Sequence, residues 1–214
     1  MPEIIETTVY RLDELADAAK ESAHEWYRRG APNDGWFEFV YDDFERICDI
    51  LGVRLKTVPV RLYGGDTRQK SCIWFSGFWS QGDGACFEGR FSYAKATSRK
   101  IRDHAPKDEA LHRIADTLQA VQRCNFYQLH AEIVHRDRYY HKYCMAISVE
   151  RDSPLWQDMT ADAEETVIET LRDLARWLYR QLEQEYEYLT SDEVIDEAIV
   201  ANGYTFTEEG CRFG

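Results

Sequence analysis

The stretch FSGFWSQGDGACFEG, residues 75–89, constrains the fold of this chain more than any other segment. It combines four aromatic residues with four glycines in fifteen positions. Apolar residues on both sides of the GDG turn predict a β-hairpin with arms at 72–79 and 87–93. If Trp79 faces Phe87, then Gly77 faces Gly89. A bare glycine pair of this kind predicts a trough in which a helix packs closely on the sheet.

The loop of this hairpin, with Trp79, Gln81 and Asp83, is the first candidate functional segment. An aspartate between glycines commonly bonds its own backbone, so a structural role needs no chemistry. The alternative is a hydrolase or transferase in which Asp83 and Glu88 act as paired carboxylates, because glycosidases need two such groups beside the scissile bond. The segment lacks the Lys-Ser/Thr pair of a phosphate-binding P-loop.

The remaining periodicity alternates between helices and strands. Helical spacing predicts helices near both ends and between the strands, and a second large hairpin has arms at 126–135 and 141–150. The sequence therefore predicts an α+β fold with an antiparallel sheet of two large hairpins covered by helices. We expect a single domain over residues 1–214, with a sheet-containing core at 1–150 and an acidic helical region at 151–214 packed on it. Predicted helices are 11–29, 36–51, 106–125 and 160–189, with a short one after Ser191 and a small hairpin at 204–213.

The second hairpin carries histidines that suggest a metal site by composition. If Ile133 faces Tyr143, then His135 and His141 face each other at the open end of the hairpin. Two ligands do not make a structural zinc site, so the pattern predicts a paired-histidine rim and no metal. The six cysteines are far apart and form no CxxC, which is typical of reduced core residues. No cofactor is expected.

Charge is distributed unevenly along the chain. The net charge is −13, and residues 150–214 hold 17 acidic side chains against five arginines and no lysine. Such a surface repels nucleic acid and attracts basic surfaces, although it can also be a solvated helical face. The basic run at 95–113 can pair with the acids of the protein itself or contact nucleic acid. Candidate binding residues on the helix at 160–189 are Glu165, Glu169, Asp173, Glu183 and Glu187.

The N-terminus and the hydropathy pattern bear on localisation. Met1 is followed by a proline and an acid, with no apolar signal region behind them. No apolar run approaches the roughly 18 residues that a membrane span requires. We therefore expect a cytoplasmic protein without a membrane partner.

One combination of strings carries a family resemblance. The string FSGFWSQGDGACFEG, preceded by WFEFVYDDFERICDILGV and followed by ANGYTFTEEG, resembles a set of bacteriophage and prophage proteins. The opening RLDELADAAKESAHEWYR fits the same set, and some relatives carry antitoxin-like labels. The resemblance covers most of the chain and assigns no functional residue. It implies a small cytoplasmic phage product of the kind that binds and disables a host protein.

Together these observations favour a non-enzymatic phage or prophage accessory protein. Its acidic surface would occupy a basic host protein or nucleoprotein complex, such as a CRISPR or other defence complex, since a nucleic-acid-handling protein must be basic. Direct contact with nucleic acid is not expected from the net charge. The alternatives are the hydrolase or transferase above and an antitoxin that neutralises a basic toxin. The oligomeric state stays open.

Overall fold

The computed structural model describes residues 6–32 and 34–214 and has the predicted α+β class. All strand pairs in this part of the chain are antiparallel. The helices are α1 Asp17–Gly30, α2 Glu38–Leu51, α3 Thr97–His104, α4 Glu109–Cys124, α5 Ala163–Leu189 and α6 Asp192–Ala201. The strands are β1 Val53–Leu55, β2 Thr57–Arg61, β3 Thr67–Ser71, β4 Ile73–Ser76, β5 Gly84–Phe87, β6 Gly89–Ser92, β7 Leu129–His135, β8 Met145–Arg151, β9 Thr205–Phe206 and β10 Arg212–Phe213. Of the helices described, none is long and apolar enough to cross a bilayer.

The chain divides into two compact units, and the first joins its two ends. This terminal unit contains the residues up to Phe37 together with Glu183–Gly214. Its core is formed by Leu12, Ala23, Ile195, Ile199 and Phe206. The predicted C-terminal hairpin is present as β9 and β10, and Tyr10 bridges to Phe206 in β9. Apolar residues of α1 and α6 thus share one small core with the terminal hairpin.

The second unit, Glu38–Leu182, is built on a four-stranded sheet in the order β1-β6-β7-β8. Burial alternates along β7, which places one face of the sheet in the core and leaves the other face exposed. Helices cover the buried face, and Phe44 of α2 packs between Phe87 and Trp177 of α5. We call Glu38–Leu182 the sheet unit. Its buried sheet residues are Val53, Phe91, Leu129, Ala131, Ile133 and Val149.

Three strand pairs of the sheet unit meet at a ring of backbone hydrogen bonds. Lys56 N–H donates to the carbonyl of Glu88 at 2.9 Å, Glu88 N–H donates to Cys72 at 2.9 Å, and Cys72 N–H donates to Lys56 at 2.8 Å. Lys56 separates β1 from β2, Cys72 separates β3 from β4, and Glu88 separates β5 from β6. We call this ring the strand junction. The pairs β1–β6, β2–β3 and β4–β5 all begin at it.

The register predicted for the first hairpin is wrong. Ile73 lies opposite Phe87, and Phe91 pairs with Val53 of β1 rather than with Phe75. Residues 77–83 do not pair with another strand, so the loop is longer than a tight turn. Relative to the predicted register, the strand pairing is shifted by an even number of residues. Gly77 and Gly89 therefore do not face each other, and no helix occupies a trough between them. A Cβ at Gly89 would instead overlap the carbonyl oxygen of Arg54 in β1.

The second hairpin is also shifted from its predicted register. Ile133 lies opposite Ile147, and His135 lies opposite Met145 instead of His141. The shift is again even, so the predicted core face of β7 is confirmed while the facing partners change. The chain from 136 to 144 forms a loop that ends in a 3-10 turn at Lys142–Cys144. The basic run predicted as a connection forms the helix α3.

Candidate functional site

Asp83 holds the glycine-rich loop by bonding to the backbone of that loop. Its Oδ2 accepts hydrogen bonds from the N–H groups of Trp79 at 3.1 Å and Ser80 at 2.7 Å. The Tyr179 hydroxyl of α5 donates to the carbonyl of Gly77 at 3.0 Å. These bonds agree with the structural interpretation of an aspartate between glycines. They fix the loop while Gln81 and the Trp79 indole face outwards, the latter 78% exposed.

Glu88, the second carboxylate of the enzymatic alternative, lies at the strand junction. Its side chain is buried, and it accepts hydrogen bonds from Lys56 Nζ at 2.6 Å and from His135 N–H at 3.0 Å. Burial alone would raise the pKa of this carboxyl, but the bonds from Lys56 and His135 bring it below its ordinary value. Asp83 and Glu88 thus bond to different parts of the backbone. This arrangement favours structural roles for both.

A second loop packs on the glycine-rich loop and explains why position 84 is a glycine. A Cβ at Gly84 would lie 2.7 Å from Cβ of His141 and 2.9 Å from its Cα. A Cβ at Gly82 would meet the Tyr139 ring at 3.7 Å. Glycine is therefore required at position 84 for close approach of the 136–143 segment. We call residues 77–84 and 136–143 the paired loops.

The two histidines of the predicted rim have separate local partners. His135 Nε2 lies 2.8 Å from the carbonyl oxygen of Tyr139. His141 Nδ1 accepts from Tyr143 N–H at 3.2 Å and lies 3.4 Å from Sγ of Cys144. The predicted facing pair is therefore wrong. In the described residues no group of three or more His, Cys, Asp or Glu side chains could hold a metal ion. Burial raises the pKa of the Cys144 thiol beside His141.

Aromatic and basic side chains converge on the outer side of the paired loops. Tyr139 is 44% and Tyr143 66% exposed. The Arg138 guanidinium lies 4.7 Å from the centre of the Tyr139 ring, and Lys142 Nζ lies 4.7 Å from that of Tyr143. Arg172 of α5 lies over Tyr143 at 5.5 Å. With Trp79, these residues form what we call the aromatic–basic surface.

Sequence reasoning considered Arg136, Arg138 and Lys142 only as additions to the basic run at 95–113, and it treated 136–140 as a hairpin turn, so it did not relate these residues to the glycine-rich loop. The signal was present in the string RDRYYHKY, in which basic and aromatic residues are interleaved. Its meaning depends on packing, since the string acquires Trp79 as a neighbour only when the two loops meet at Gly82 and Gly84.

The predicted acidic residues of α5 differ in their surroundings. Glu165, Glu169 and Glu187 are exposed, whereas Asp173 and Glu183 are half-buried. Two of the five have intrahelical partners, because Glu169 pairs with Arg172 at 2.8 Å and Asp173 pairs with Arg176 at 3.2 Å. Part of the acidic stripe is thus neutralised by arginines of the same helix.

Almost all of the net negative charge of the chain belongs to one of the two units. The segments of the terminal unit, up to Phe37 and Glu183–Gly214, hold 17 acidic against five basic residues. The sheet unit holds 22 acidic and 21 basic residues. Acids of α1 therefore contribute to the same surplus as those of α6. Exposed acids of the C-terminal part are Glu187, Glu193, Glu197, Glu208 and Glu209.

The basic residues of α3 are largely neutralised inside the sheet unit. Arg102 forms a two-pronged contact with Asp116 of α4, at 2.9 and 2.7 Å. His104 lies 2.9 Å from a carboxylate oxygen of Asp43 in α2. These pairs fit the interpretation that the basic run forms ion pairs with acids of the protein itself.

The comparisons with known proteins give one match. A family model described as a domain of unknown function, DUF8835, matches residues 36–192. No curated protein and no solved structure matches the chain. The matched segment includes the strand junction and both paired loops. Since it extends over more than half of the 214 residues, this chain belongs to the DUF8835 family.

Proposed function

We propose that this protein is a non-enzymatic binding protein that inhibits a host protein through its acidic terminal unit. The observation that carries the proposal is the charge separation between the units. A surplus of twelve negative charges belongs to the terminal unit, whereas the sheet unit is close to neutral. A field of this kind attracts basic surfaces and increases the rate of association with them.

Much of the acidic surplus is available to a partner. Three of the five basic residues of the terminal unit already pair with carboxylates inside it: Lys20 with Asp196 at 2.8 Å, Arg28 with Asp192 and Glu21, and Arg29 with Glu25 at 3.5 Å. Glu187, together with acids of α6 and of the last turn, is exposed. Exposed carboxylates stay hydrated in the free protein. Such groups affect mainly the rate of association with a basic partner and the choice of that partner.

The arrangement of the glycine-rich loop supports binding over catalysis. Asp83 is engaged by two backbone N–H groups, and Glu88 is engaged by Lys56 and by His135. Paired catalytic carboxylates need to face a common substrate. Asp83 and Glu88 bond to different partners instead, which favours structural roles for both.

The resemblance to bacteriophage and prophage proteins supports the biological setting. A phage product that disables a host defence acts in the host cytoplasm. The basic partner would be a host protein or nucleoprotein complex, with a CRISPR or similar defence complex as the first candidate. Such complexes must carry basic channels to hold nucleic acid, and an acidic unit can compete for these channels.

The test is affinity capture from host lysate with the intact protein as bait, at low and at high salt. A second bait carries Glu187→Lys and Glu193→Lys, two exposed reversals in the terminal unit. A matched bait carries Asp66→Lys and Glu132→Lys, two exposed reversals in the sheet unit at residues outside the candidate binding set. We expect a partner that the parent and matched baits retain and the terminal-unit variant loses. Equal retention by all three baits would refute the proposed contact.

A further inference from the structure

We propose that the aromatic–basic surface of the paired loops binds single-stranded nucleic acid. The surface presents Trp79, Tyr139 and Tyr143, each with an exposed ring. Cations accompany two of these rings, Arg138 at Tyr139 and Lys142 at Tyr143. Aromatic platforms for bases beside cations for phosphates are the combination that single-strand binding requires. This inference goes beyond the proposed function and rests on the sheet unit alone.

The rings are presented on a rigid support. Asp83 caps the loop that carries Trp79, and the Tyr179 hydroxyl holds the same loop at the Gly77 carbonyl. The Tyr139 hydroxyl accepts from the Arg138 guanidinium at 2.5 Å. A platform that is ordered before binding loses less conformational entropy when a base stacks on it. The close contact of His141 with Gly84 keeps the two loops together.

The cations of this surface differ from those of α3. Of the cations of this surface, Arg172 pairs with Glu169 at 2.8 Å, whereas in the described part of the chain Arg138 and Lys142 have no carboxylate within ion-pair distance. The α3 residues Arg102 and His104, by contrast, pair with Asp116 and Asp43. Cations without carboxylate partners can neutralise phosphates and release counterions, which drives binding to nucleic acid.

The charge separation removes the main objection to nucleic acid. The sequence-based expectation against direct binding rested on the net charge of −13. That surplus belongs to the terminal unit, and the sheet unit has 22 acids against 21 bases. Between exposed charges, repulsion falls off over about 8–10 Å at physiological salt. The sheet unit, taken by itself, is therefore close to neutral and has no large negative field that would oppose binding of phosphates.

The geometry favours a single strand over a duplex. The rings project from loops, and a base can stack on an exposed ring only when it is not stacked inside a helix. Either DNA or RNA presents such bases. The 2′-hydroxyl distinguishes them, so a direct comparison of the two strands identifies the source.

The experiment measures fluorescence anisotropy of labelled oligo-dT and oligo-U of about 15 nucleotides with the purified full-length protein. A duplex of equal length is the comparator. We expect saturable binding of at least one single strand, weaker binding of the duplex, and a fall in affinity from about 50 to about 200 mM salt. Arg138→Gln should flatten the slope of log K against log salt by about 0.7, the value for one phosphate contact on a single strand.

Stacking is tested by Tyr139→Leu and Tyr143→Leu, each of which should weaken binding about fivefold or more. Tyr143→Phe should bind like the parent, because it keeps the ring. The matched control is Phe126→Leu, which removes an exposed ring outside the paired loops. Like the tyrosines, Phe126 has a cation over its ring, the Arg151 guanidinium at 5.5 Å. Thermal melts of all variants serve as the control for correct folding.

Four results would overturn the inference. The first is the absence of single-strand binding by the parent at about 100 μM, the weak end of non-specific affinity. The second is equal affinity for duplex and single strand. The third is a loss with Phe126→Leu that matches the loss with the loop variants. If the loop variants instead release a captured host protein and leave oligonucleotide binding unchanged, the surface is a protein contact and the inference is wrong. The tyrosine variants carry no change in charge, so they test this inference separately from the charge reversals that test the proposed function.

Discussion

The carboxylate of Glu88 accepts a hydrogen bond from Lys56 Nζ at 2.6 Å, and the backbones of the same two residues are joined at the strand junction. Glu88 also accepts from the N–H of His135, at the last residue of β7. One side chain therefore connects the junction to the start of the 136–143 loop. The folding of the sheet unit and the presentation of its loops depend on the same residue.

Replacement of Glu88 by glutamine should lower the free energy of unfolding by about 1–3 kcal/mol at neutral pH, because a buried charged acceptor is lost. The folded-state pKa of Glu88 lies below its ordinary value. Its contribution is therefore complete above the unfolded pKa and is lost as the pH falls through the folded one. In urea unfolding, the difference in stability between parent and variant should narrow as the pH falls below the ordinary pKa of a glutamate. The control Glu132→Gln, at an exposed pair of 3.6 Å, should change stability little. A difference that stays constant with pH would contradict the assignment.

Gly84→Ala should destabilise the sheet unit by about 1–3 kcal/mol through overpacking. The new Cβ would press on the Cα of His141 at 2.9 Å, which is backbone and cannot rotate away. Gly64→Ala is the matched control, since a Cβ there meets nothing within 4 Å. Differential scanning fluorimetry of the two variants makes the comparison. Equal melting temperatures would mean that the paired loops are not in close contact.

Asn125→Ala should cost about 2–4 kcal/mol, since several buried groups lose a partner together. The Asn125 amide donates to the Val121 carbonyl and to the Thr160 hydroxyl, and its oxygen accepts from Thr160 N–H at 2.9 Å. Asn202→Ala removes an asparagine with one exposed bond to its own helix, and we expect less than about 0.5 kcal/mol. Chemical denaturation measures both values. Similar losses of unfolding free energy in the two variants would show that the hydrogen bonds between Asn125 and Thr160 add no stability.

Charge reversal should separate the acidic residues of α5 by their surroundings. Once a partner is known, Glu183→Lys with Glu187→Lys should lower the association rate roughly tenfold at low salt, because both residues belong to the acidic unit. Glu169→Lys with Asp173→Lys should have a smaller effect, since these carboxylates already pair with Arg172 and Arg176. Surface plasmon resonance at two salt concentrations gives both rates.

The basic run around α3 supplies the opposite control, with Lys95 just before the helix and Arg99 and Arg102 within it. Reversal of Lys95, Arg99 and Arg102 should leave the association rate of the same partner unchanged. If these reversals release the partner while the acidic ones retain it, the basic helix is the contact and the acidic unit is a solvated surface. A rate that is insensitive to salt in every variant would also contradict electrostatic steering.

The sequence by itself determined most of the longer helices and strands, and for α5 and β7 it determined which face is buried. The apolar stripe at Val167, Leu171, Leu174 and Leu178 predicts α5, and all four residues are buried. Alternation along β7 likewise predicts its buried face. These features follow from local periodicity, which depends only on the nearest few residues.

Only the tertiary structure decided the registers, the strand junction and the role of the glycines. A shift by an even number of residues keeps every side chain on its face, so alternation cannot distinguish Ile147 from Tyr143 as the partner of Ile133. The junction joins Lys56, Cys72 and Glu88, which no local pattern relates. Sequence also placed the acidity in the last third, whereas the structure groups it with α1. Packing brings distant segments together, and the charge and aromatic surfaces of this protein arise from those contacts rather than from order along the chain.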